Sequence, residues 1–167
     1  MKFLTPTVLG LLVSLTVPSV AQEFVDTQIP RPISDVIQEF SEQTVVPLDV
    51  RRTIAERCAS VKLLYAITQE NTGFNSGDRH NTPSFNHRVG IYFYVQLAQD
   101  KLNQRLDKGE ELSENVIENT SDNVFEQVTE TANRYRQRIA SGETALTDEL
   151  VVSDSETCTR LFLNQTG

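Results

Sequence analysis

The residues that could do chemistry gather in one stretch, GDRHNTPSFNHRVGIYFYV (residues 77–95), which holds both histidines of the chain. Asp78, His80 and His87 could offer a carboxylate and two imidazoles to a metal ion or to acid–base catalysis. The histidines stand seven residues apart across an expected loop–helix boundary, which matches no standard zinc spacing. The alternative is a solvent-exposed His80 and a His87 in the first helical turn. We therefore predict no metal site and no cofactor, and name these three residues as the candidates that a metal site would use.

Sequence motifs of common enzyme classes are missing. The chain has no Gly-x-Ser-x-Gly, no Ser-x-x-Lys, no His-Glu-x-x-His and no glycine-rich phosphate loop. Two carboxylates for glycoside cleavage could be chosen from 23 acidic residues, but the sequence does not place a pair across a cleft. An enzyme that uses His80 or His87 with Asp78 is therefore the third-ranked hypothesis, behind two binding functions.

The N-terminus predicts export. Lys2 precedes the apolar stretch FLTPTVLGLLVSLTV, and the small residues Ser19 and Ala21 stand at the positions that signal peptidase reads. The stretch is too short to span a bilayer, so cleavage after residue 21 is favoured over a retained anchor. Removal of Lys2 changes the net charge from −8 to −9. We expect a periplasmic or secreted acidic protein without a stable membrane anchor, and such a charge argues against nucleic-acid partners.

The periodicity of the remaining chain is helical, and no convincing strand alternation is present. The pattern of residues 22–46 predicts an N-terminal arm that includes a short helix over residues 33–44, with Ser34 as its cap. Residues 47–163 read as one helical domain. Its four predicted helices cover residues 48–70, residues 85–108 before Gly109, residues 113–140 from Ser113, and a last segment after a capping box of Ser153 and Glu156. The sequence thus predicts an all-α, up-down bundle of four main helices.

The two cysteines predict one disulfide. Cys58 lies on the apolar stripe of the first long helix, and Cys158 lies on that of the last. In an exported protein such a pair favours a disulfide over a catalytic thiol. First and last helices are neighbours in an up-down bundle, so the pairing and the fold support each other. The closed loop of about 100 residues would contribute on the order of 4 kcal/mol in the chain-entropy model.

The helix over residues 85–108 is apolar on two sides. We expect one stripe to face the core, and Phe93 and Leu97 point to nearly the opposite side. The short N-terminal helix is the favoured cover for these two residues, and the alternatives are a partner protein or an apolar ligand pocket with Tyr92, Phe93 and Tyr94 near its mouth. The expected core stripe consists of Ile91, Val95, Ala98, Leu102 and Leu106.

A row of carboxylates at successive i+4 positions runs along the helix over residues 113–140; we call it the acidic ladder, and its members are Glu114, Glu118, Asp122, Glu126 and Glu130. Like charges at this spacing destabilise a helix by about 0.2–0.5 kcal/mol per pair. Two interpretations of the ladder are possible, namely a solvated helix face and a docking surface for a basic partner.

Together these patterns favour a protein-interaction module, such as an inhibitor, an immunity-type protein or a chaperone-like partner. Its candidate surfaces are the acidic ladder and the Phe93/Leu97 side, and its partner is an unidentified protein. The alternative is a carrier of a small apolar ligand in a pocket between helices.

Overall fold

The computed structural model describes residues 31–166, and that part of the chain contains helices and no strand. The five helices are α1 (Ile33–Glu39), α2 (Leu48–Thr72), α3 (Pro83–Asp107), α4 (Glu114–Arg138) and α5 (Glu149–Thr166). The predicted signal peptide, residues 1–21, and residues 22–30 of the predicted arm lie outside the described residues. None of the five helices is both long and apolar enough to cross a membrane. The prediction of an all-α fold with four main helices is confirmed.

Helices α2 and α3 form the most extensive helix pair and run antiparallel. Lys62 in the middle of α2 donates to Asn86 Oδ1 near the start of α3 at 2.7 Å. Arg52 near the start of α2 donates to Gln104 Oε1 near the end of α3 at 3.2 Å. α2 ends where Gly73 takes a left-handed conformation (φ 66°), which glycine adopts without the strain that a Cβ would cause. The helical periodicity of this segment predicts an apolar stripe, which consists of Val50, Ile54, Cys58, Val61, Tyr65 and Thr68. Four of the six are buried, namely Val50, Cys58, Val61 and Tyr65.

The face that α3 turns to the core is opposite to the predicted one. Phe93 and Leu97 are buried, whereas Ile91 and Val95 are 55% and 42% exposed. Gly90 explains the choice, since a Cβ at this position would lie 2.9 Å from Leu63 Cγ of α2. The missing side chain lets the two helices approach on the Gly90 side, and close approach increases the apolar area that Phe93 and Leu97 remove from water.

Helix α5 begins earlier than predicted. The expected capping box of Ser153 and Glu156 is wrong, because the helix already starts at Glu149. Asp148 lies just before it and accepts a hydrogen bond from the Val151 N–H at 3.0 Å. A carboxylate caps an N-terminus about as well as a serine hydroxyl, and the earlier start also buries Val151.

The predicted disulfide joins α2 to α5. Cys58 and Cys158 form a bond of 2.04 Å with their Cα atoms 5.4 Å apart, and both residues are fully buried. The loop between them closes 100 residues of chain, which corresponds to a stabilisation of about 4–5 kcal/mol in the chain-entropy model. Because the bond crosses the core, it fixes the relative position of the first and last main helices.

A buried polar cluster fixes α1 on this core. Arg57 donates to Asp154 Oδ2 at 2.6 Å, to the carbonyl of Arg31 at 2.7 Å and to the Tyr135 hydroxyl at 3.0 Å. Tyr135 in turn donates to Asp154, whose second oxygen accepts from the Ile33 N–H at 2.7 Å. Burial, together with the neighbouring Asp154 charge, raises the pKa of Tyr135 well above its usual value.

The same cluster corrects the prediction for the short helix. α1 starts at Ile33 rather than at a cap formed by Ser34, and it ends at Glu39, five residues before the predicted end. A carboxylate of α5 takes the role of the cap, since Asp154 accepts the first free N–H of α1. The partner lies 121 residues away in sequence, which is why no local pattern reveals it.

Candidate functional site

The acidic ladder lies on the outer face of α4. All five of its carboxylate residues are exposed. Within residues 31–166 one member, Glu130, forms an ion pair, with Arg134 Nη2 at 2.8 Å. At a rise of 1.5 Å per residue the ladder extends for about 24 Å and turns by about 40° at each step. It therefore offers a long strip of negative charge that is neutralised at one end only.

An aromatic side chain stands in this strip. Phe125 is 64% exposed, more than any other phenylalanine within residues 31–166. It follows Asp122 by three residues and Glu118 by seven, so it lies beside the first and nearly in line with the second along the helix. We call the acidic ladder together with Phe125 the acidic face. Such an exposed ring among carboxylates combines apolar contact area with negative charge in one place.

The opposite side of α4 packs on the core. Ser113, where the helix was predicted to start, is its N-cap, with its hydroxyl accepting from the Val116 N–H at 3.4 Å. Ser60 of α2 donates to the Val128 carbonyl at 2.8 Å, which ties the two helices together in mid-course. The buried residues of α4 are Thr120, Val124, Val128, Thr131 and Tyr135. The acidic face is therefore held on a well-anchored element.

Phe93 and Leu97 do not form a surface. They are buried at 2% and 0% exposure, in one cluster with Val89, Val61 and Cys158. Their proposed role as a docking patch is corrected accordingly, because another molecule could reach them only after the helices had separated. The apolar residues that α3 exposes instead are Ile91, Val95 and Leu106.

The three neighbouring aromatics of the candidate pocket point in different directions. Tyr92 donates to Gln165 Oε1 of α5 at 2.7 Å, whereas Tyr94 donates to the Ser121 carbonyl of α4 at 2.9 Å. Phe93 alone of the three lines a cleft of about 450 Å³ whose other walls include Ile37 and Ile54. Tyr92 and Tyr94 therefore tie α3 to α5 and α4, and Tyr92 also packs edge-on against Phe93, with ring centroids 5.3 Å apart.

Asp78, His80 and His87 are brought to two different places. His87 Nε2 lies 3.1 Å from Glu70 Oε1 on α2. The Asp78 carboxylate accepts from the backbone N–H of His80 at 2.9 Å, which shapes the loop before α3. The described part of the chain holds no group of three or more potential metal ligands from His, Cys, Asp and Glu. His80 and Asp78, without His87, line a pocket that contains an unexpected residue.

That residue is Lys62, which is only 2% exposed. Its amine donates to Asn86 Oδ1 at 2.7 Å and to Thr159 Oγ1 at 2.6 Å, both of them uncharged acceptors. It also lines a pocket of about 320 Å³, which we call the Lys62 pocket. Burial lowers the pKa of Lys62 to about 7, and the more distant Glu156 carboxylate only partly opposes this change. The other lining residues are Tyr65, Asp78, His80, Asn81, Ser155, Glu156, Thr159 and Arg160.

Sequence reasoning missed Lys62, although a signal was present. The predicted buried stripe of α2 included Cys58, Val61 and Tyr65. Lys62 follows Cys58 by four residues and precedes Tyr65 by three, so the same helical face includes it. A lysine inside a core stripe departs from the usual exposure of this residue type and is the pattern that could have identified the site.

Comparison of the chain with protein-family models, with curated proteins and with solved structures finds no significant match.

Proposed function

We propose that this protein is an exported binding module that docks a basic partner protein on the acidic face of α4. The observation that carries the proposal is the exposed ring of Phe125 within a strip of carboxylates. Interfaces draw most of their binding energy from a few central residues, and aromatic rings are frequent among them. Surrounding charges add specificity and speed the encounter with a partner of opposite charge.

The energetics of α4 support a role outside folding. Adjacent carboxylates of the ladder repel one another by about 0.2–0.5 kcal/mol per i,i+4 pair. Within the described residues, the Glu130–Arg134 ion pair is the one ion pair that offsets this repulsion. A fold gains nothing from exposing Phe125 to water. A basic partner with an apolar side chain would relieve both costs at once, because it neutralises the carboxylates and covers the ring.

The scaffold behind the acidic face supports the same function. α4 packs on α2 and α3, and the Cys58–Cys158 bond joins α2 to α5. A binding surface on a rigid element loses little conformational freedom when a partner arrives. An exported protein also encounters its partners in an oxidising compartment, where such a disulfide persists.

The experiment compares three versions of the mature protein as bait for proteins of the exported fraction of its source cells. The ladder variant carries Glu118→Gln, Asp122→Asn and Glu126→Gln. The control variant removes the same number of charges from other exposed positions, through Glu42→Gln, Asp107→Asn and Glu143→Gln. Circular dichroism and an intact disulfide verify that all versions fold.

The proposal predicts a basic protein that binds the wild type and the control variant and is lost with the ladder variant. Its association rate should fall when salt is raised, since the Debye length shortens from about 10 Å at 0.1 M to about 3 Å at 1 M. Phe125→Ala should increase its dissociation rate. Equal losses with the ladder and control variants would reduce the effect to net charge and would refute docking on the acidic face.

A second candidate function is favoured by the cleft beside Phe93. Its apolar lining includes Ile37, Ile54, Phe93 and Leu161, and its volume of about 450 Å³ lies in the range of small-ligand sites. A carrier of an apolar compound would retain it during purification. Native mass spectrometry of the protein from its source should then reveal an added mass that Ile54→Trp removes by filling the cleft; a bare protein mass would exclude a tightly held ligand.

A further inference from the structure

We propose that the Lys62 pocket binds a small monocarboxylate whose carboxylate group completes the hydrogen bonding of the buried Lys62 amine. The proposal does not depend on the docking function, because the pocket lies between α2, α5 and the loop before α3, away from the acidic face. It assigns a ligand class to the pocket that the buried Lys62 amine lines.

The protonated Lys62 amine has more donors than the protein offers acceptors. An ammonium group carries three N–H donors and a neutral amine carries two. Lys62 has two acceptors in the described part of the chain, Asn86 Oδ1 and Thr159 Oγ1. The Tyr65 ring centroid lies 6.0 Å from Nζ, at the outer limit for a cation–π contact. The neutral amine is therefore satisfied by the protein, whereas the ammonium form needs one more acceptor from the pocket.

The two protein acceptors are themselves fixed. Asn86 uses its amide nitrogen to donate to Gln69 Oε1 at 2.8 Å, so its oxygen is directed at Lys62. Thr159 donates its hydroxyl hydrogen to the Ser155 carbonyl at 3.1 Å, which leaves the oxygen to accept. These second hydrogen bonds fix the orientation of both acceptors, so neither side chain can rotate to offer the amine a different hydrogen-bond arrangement. The amine is thus positioned in advance for a ligand.

The described part of the chain pairs no counter-ion with the Lys62 amine. Within residues 31–166 no carboxylate lies within ion-pair distance of Lys62. Desolvating an ammonium group without a counter-ion is costly, and an anionic ligand supplies that counter-ion. Since burial lowers the pKa of Lys62 to about 7, the amine can take up a proton near neutral pH when an anion arrives. Binding of the anion and protonation of Lys62 are therefore coupled.

The groups around the pocket select the kind of anion. Arg160 on α5 and His80 on the loop can add donors, whereas Glu156 on α5 and Asp78 on the loop are acidic. Two carboxylates at the wall disfavour a dianion such as phosphate, since like charges repel. They can accept a hydrogen bond from a hydroxyl group next to the ligand's carboxylate. A pocket of about 320 Å³ admits such a compound, and L-lactate has the required groups.

The test measures L-lactate binding by calorimetry and by amide NMR shifts between pH 6 and pH 8. Binding to the ammonium form predicts an affinity roughly tenfold weaker at the higher pH, since a group of pKa about 7 then loses its proton. Lys62→Met should abolish binding, and Lys62→Gln serves the same purpose if the Met variant does not fold. His80→Gln should leave the pH dependence in place, which assigns that dependence to Lys62 rather than to the imidazole in the pocket wall.

Two probes complete the test. 1,2-Propanediol is the uncharged analogue of L-lactate and should not bind, and inorganic phosphate should bind less tightly than L-lactate. The proposal is overturned if lactate fails to bind at concentrations up to about 20 mM, or if its affinity does not change with pH. It is also overturned if Lys62→Met binds as the wild type does, or if phosphate binds more tightly than lactate.

Discussion

Replacing Lys62 by methionine tests how the buried amine affects the stability of the fold. Methionine has a similar length, carries no charge and is a good filler of irregular core spaces. In the unfolded chain a lysine titrates near its ordinary pKa of about 10.4. In the folded protein burial lowers the pKa of Lys62 to about 7. The variant therefore removes a group that binds its proton much more weakly in the folded state than in the unfolded state.

The sign and size of the effect follow from this difference. Well below pH 7 both states hold the proton, and well above pH 10.5 neither does, so the contribution of Lys62 is constant in both regions. Between these limits the unfolded chain binds more protons, and the free energy of unfolding rises with pH by up to about 1.4 kcal/mol per pH unit. From pH 7.5 to pH 9.5 the wild type should gain about 2–3 kcal/mol from this residue.

Urea denaturation at pH 7.5, 8.5 and 9.5 measures the effect, with the disulfide kept oxidised. The difference between wild type and Lys62→Met isolates this residue from the other titrating groups, including Lys101, whose pKa burial also lowers. The variant loses two hydrogen bonds at every pH, which adds a pH-independent part to the difference in the free energy of unfolding. Only the pH-dependent part of that difference reports the titration of Lys62. The wild type should gain about 2–3 kcal/mol on the variant between pH 7.5 and pH 9.5.

Parallel pH profiles for the two proteins would refute the reasoning. They would mean that Lys62 keeps an ordinary pKa in the folded state, and hence that its amine is solvated or paired with a counter-ion. A wild-type advantage that shrinks as pH rises would contradict the sign itself. Lys108→Met is a matched control at an exposed lysine and should reproduce the wild-type profile.

Three further predictions concern the fold, each measured as a change in the free energy of unfolding by urea titration. Asp154→Asn breaks a buried ion pair and should cost about 3–5 kcal/mol, with a value below 1 kcal/mol showing that Arg57 finds another partner. Replacing both Cys58 and Cys158 by alanine should cost about 4 kcal/mol, and no loss would contradict the bond between α2 and α5. Phe93→Ala should cost about 3–5 kcal/mol and Phe125→Ala less than about 0.5 kcal/mol, so equal losses would contradict the burial of the first and the exposure of the second.

The two proposed sites use different properties of one scaffold. The acidic face depends on exposed charge and on one exposed ring, and its occupant is a macromolecule. The Lys62 pocket depends on enclosure and on a fixed hydrogen-bond arrangement, and its occupant is a small anion. Because the two sites share no residue, Lys62→Met should leave partner capture unchanged, and the ladder variant should leave lactate binding unchanged.

The sequence by itself determined the helices and the disulfide. Helical periodicity and turn residues are local, so the existence of the four main helices and the start of α4 within one residue of Ser113 could be predicted from neighbouring positions. The pairing of Cys58 with Cys158 followed because only two cysteines exist and both lie on apolar stripes. The acidic ladder could likewise be identified from the sequence, because a regular helix fixes the spacing of its exposed residues.

The tertiary structure alone decided which face of α3 is buried. Periodicity indicates two apolar sides on this helix. It cannot predict which side faces the core, because that depends on how closely a neighbouring helix can approach. Because Gly90 has no side chain, α3 can approach Leu63 of α2 closely on that side. Phe93 is therefore buried and Ile91 is exposed. The cap of α1 by Asp154 was equally hidden, since hydrogen-bond partners 121 residues apart leave no local pattern.

The same limit applies to the residues first considered for chemistry. Asp78, His80 and His87 lie close in sequence. In the fold, however, His87 contacts Glu70, whereas the other two line the pocket of Lys62. Residue types and spacing determine which groups are available and which helix face each one occupies. The distance between groups on different helices, and the loss of water that lowers the pKa of a lysine, arise only when the helices pack.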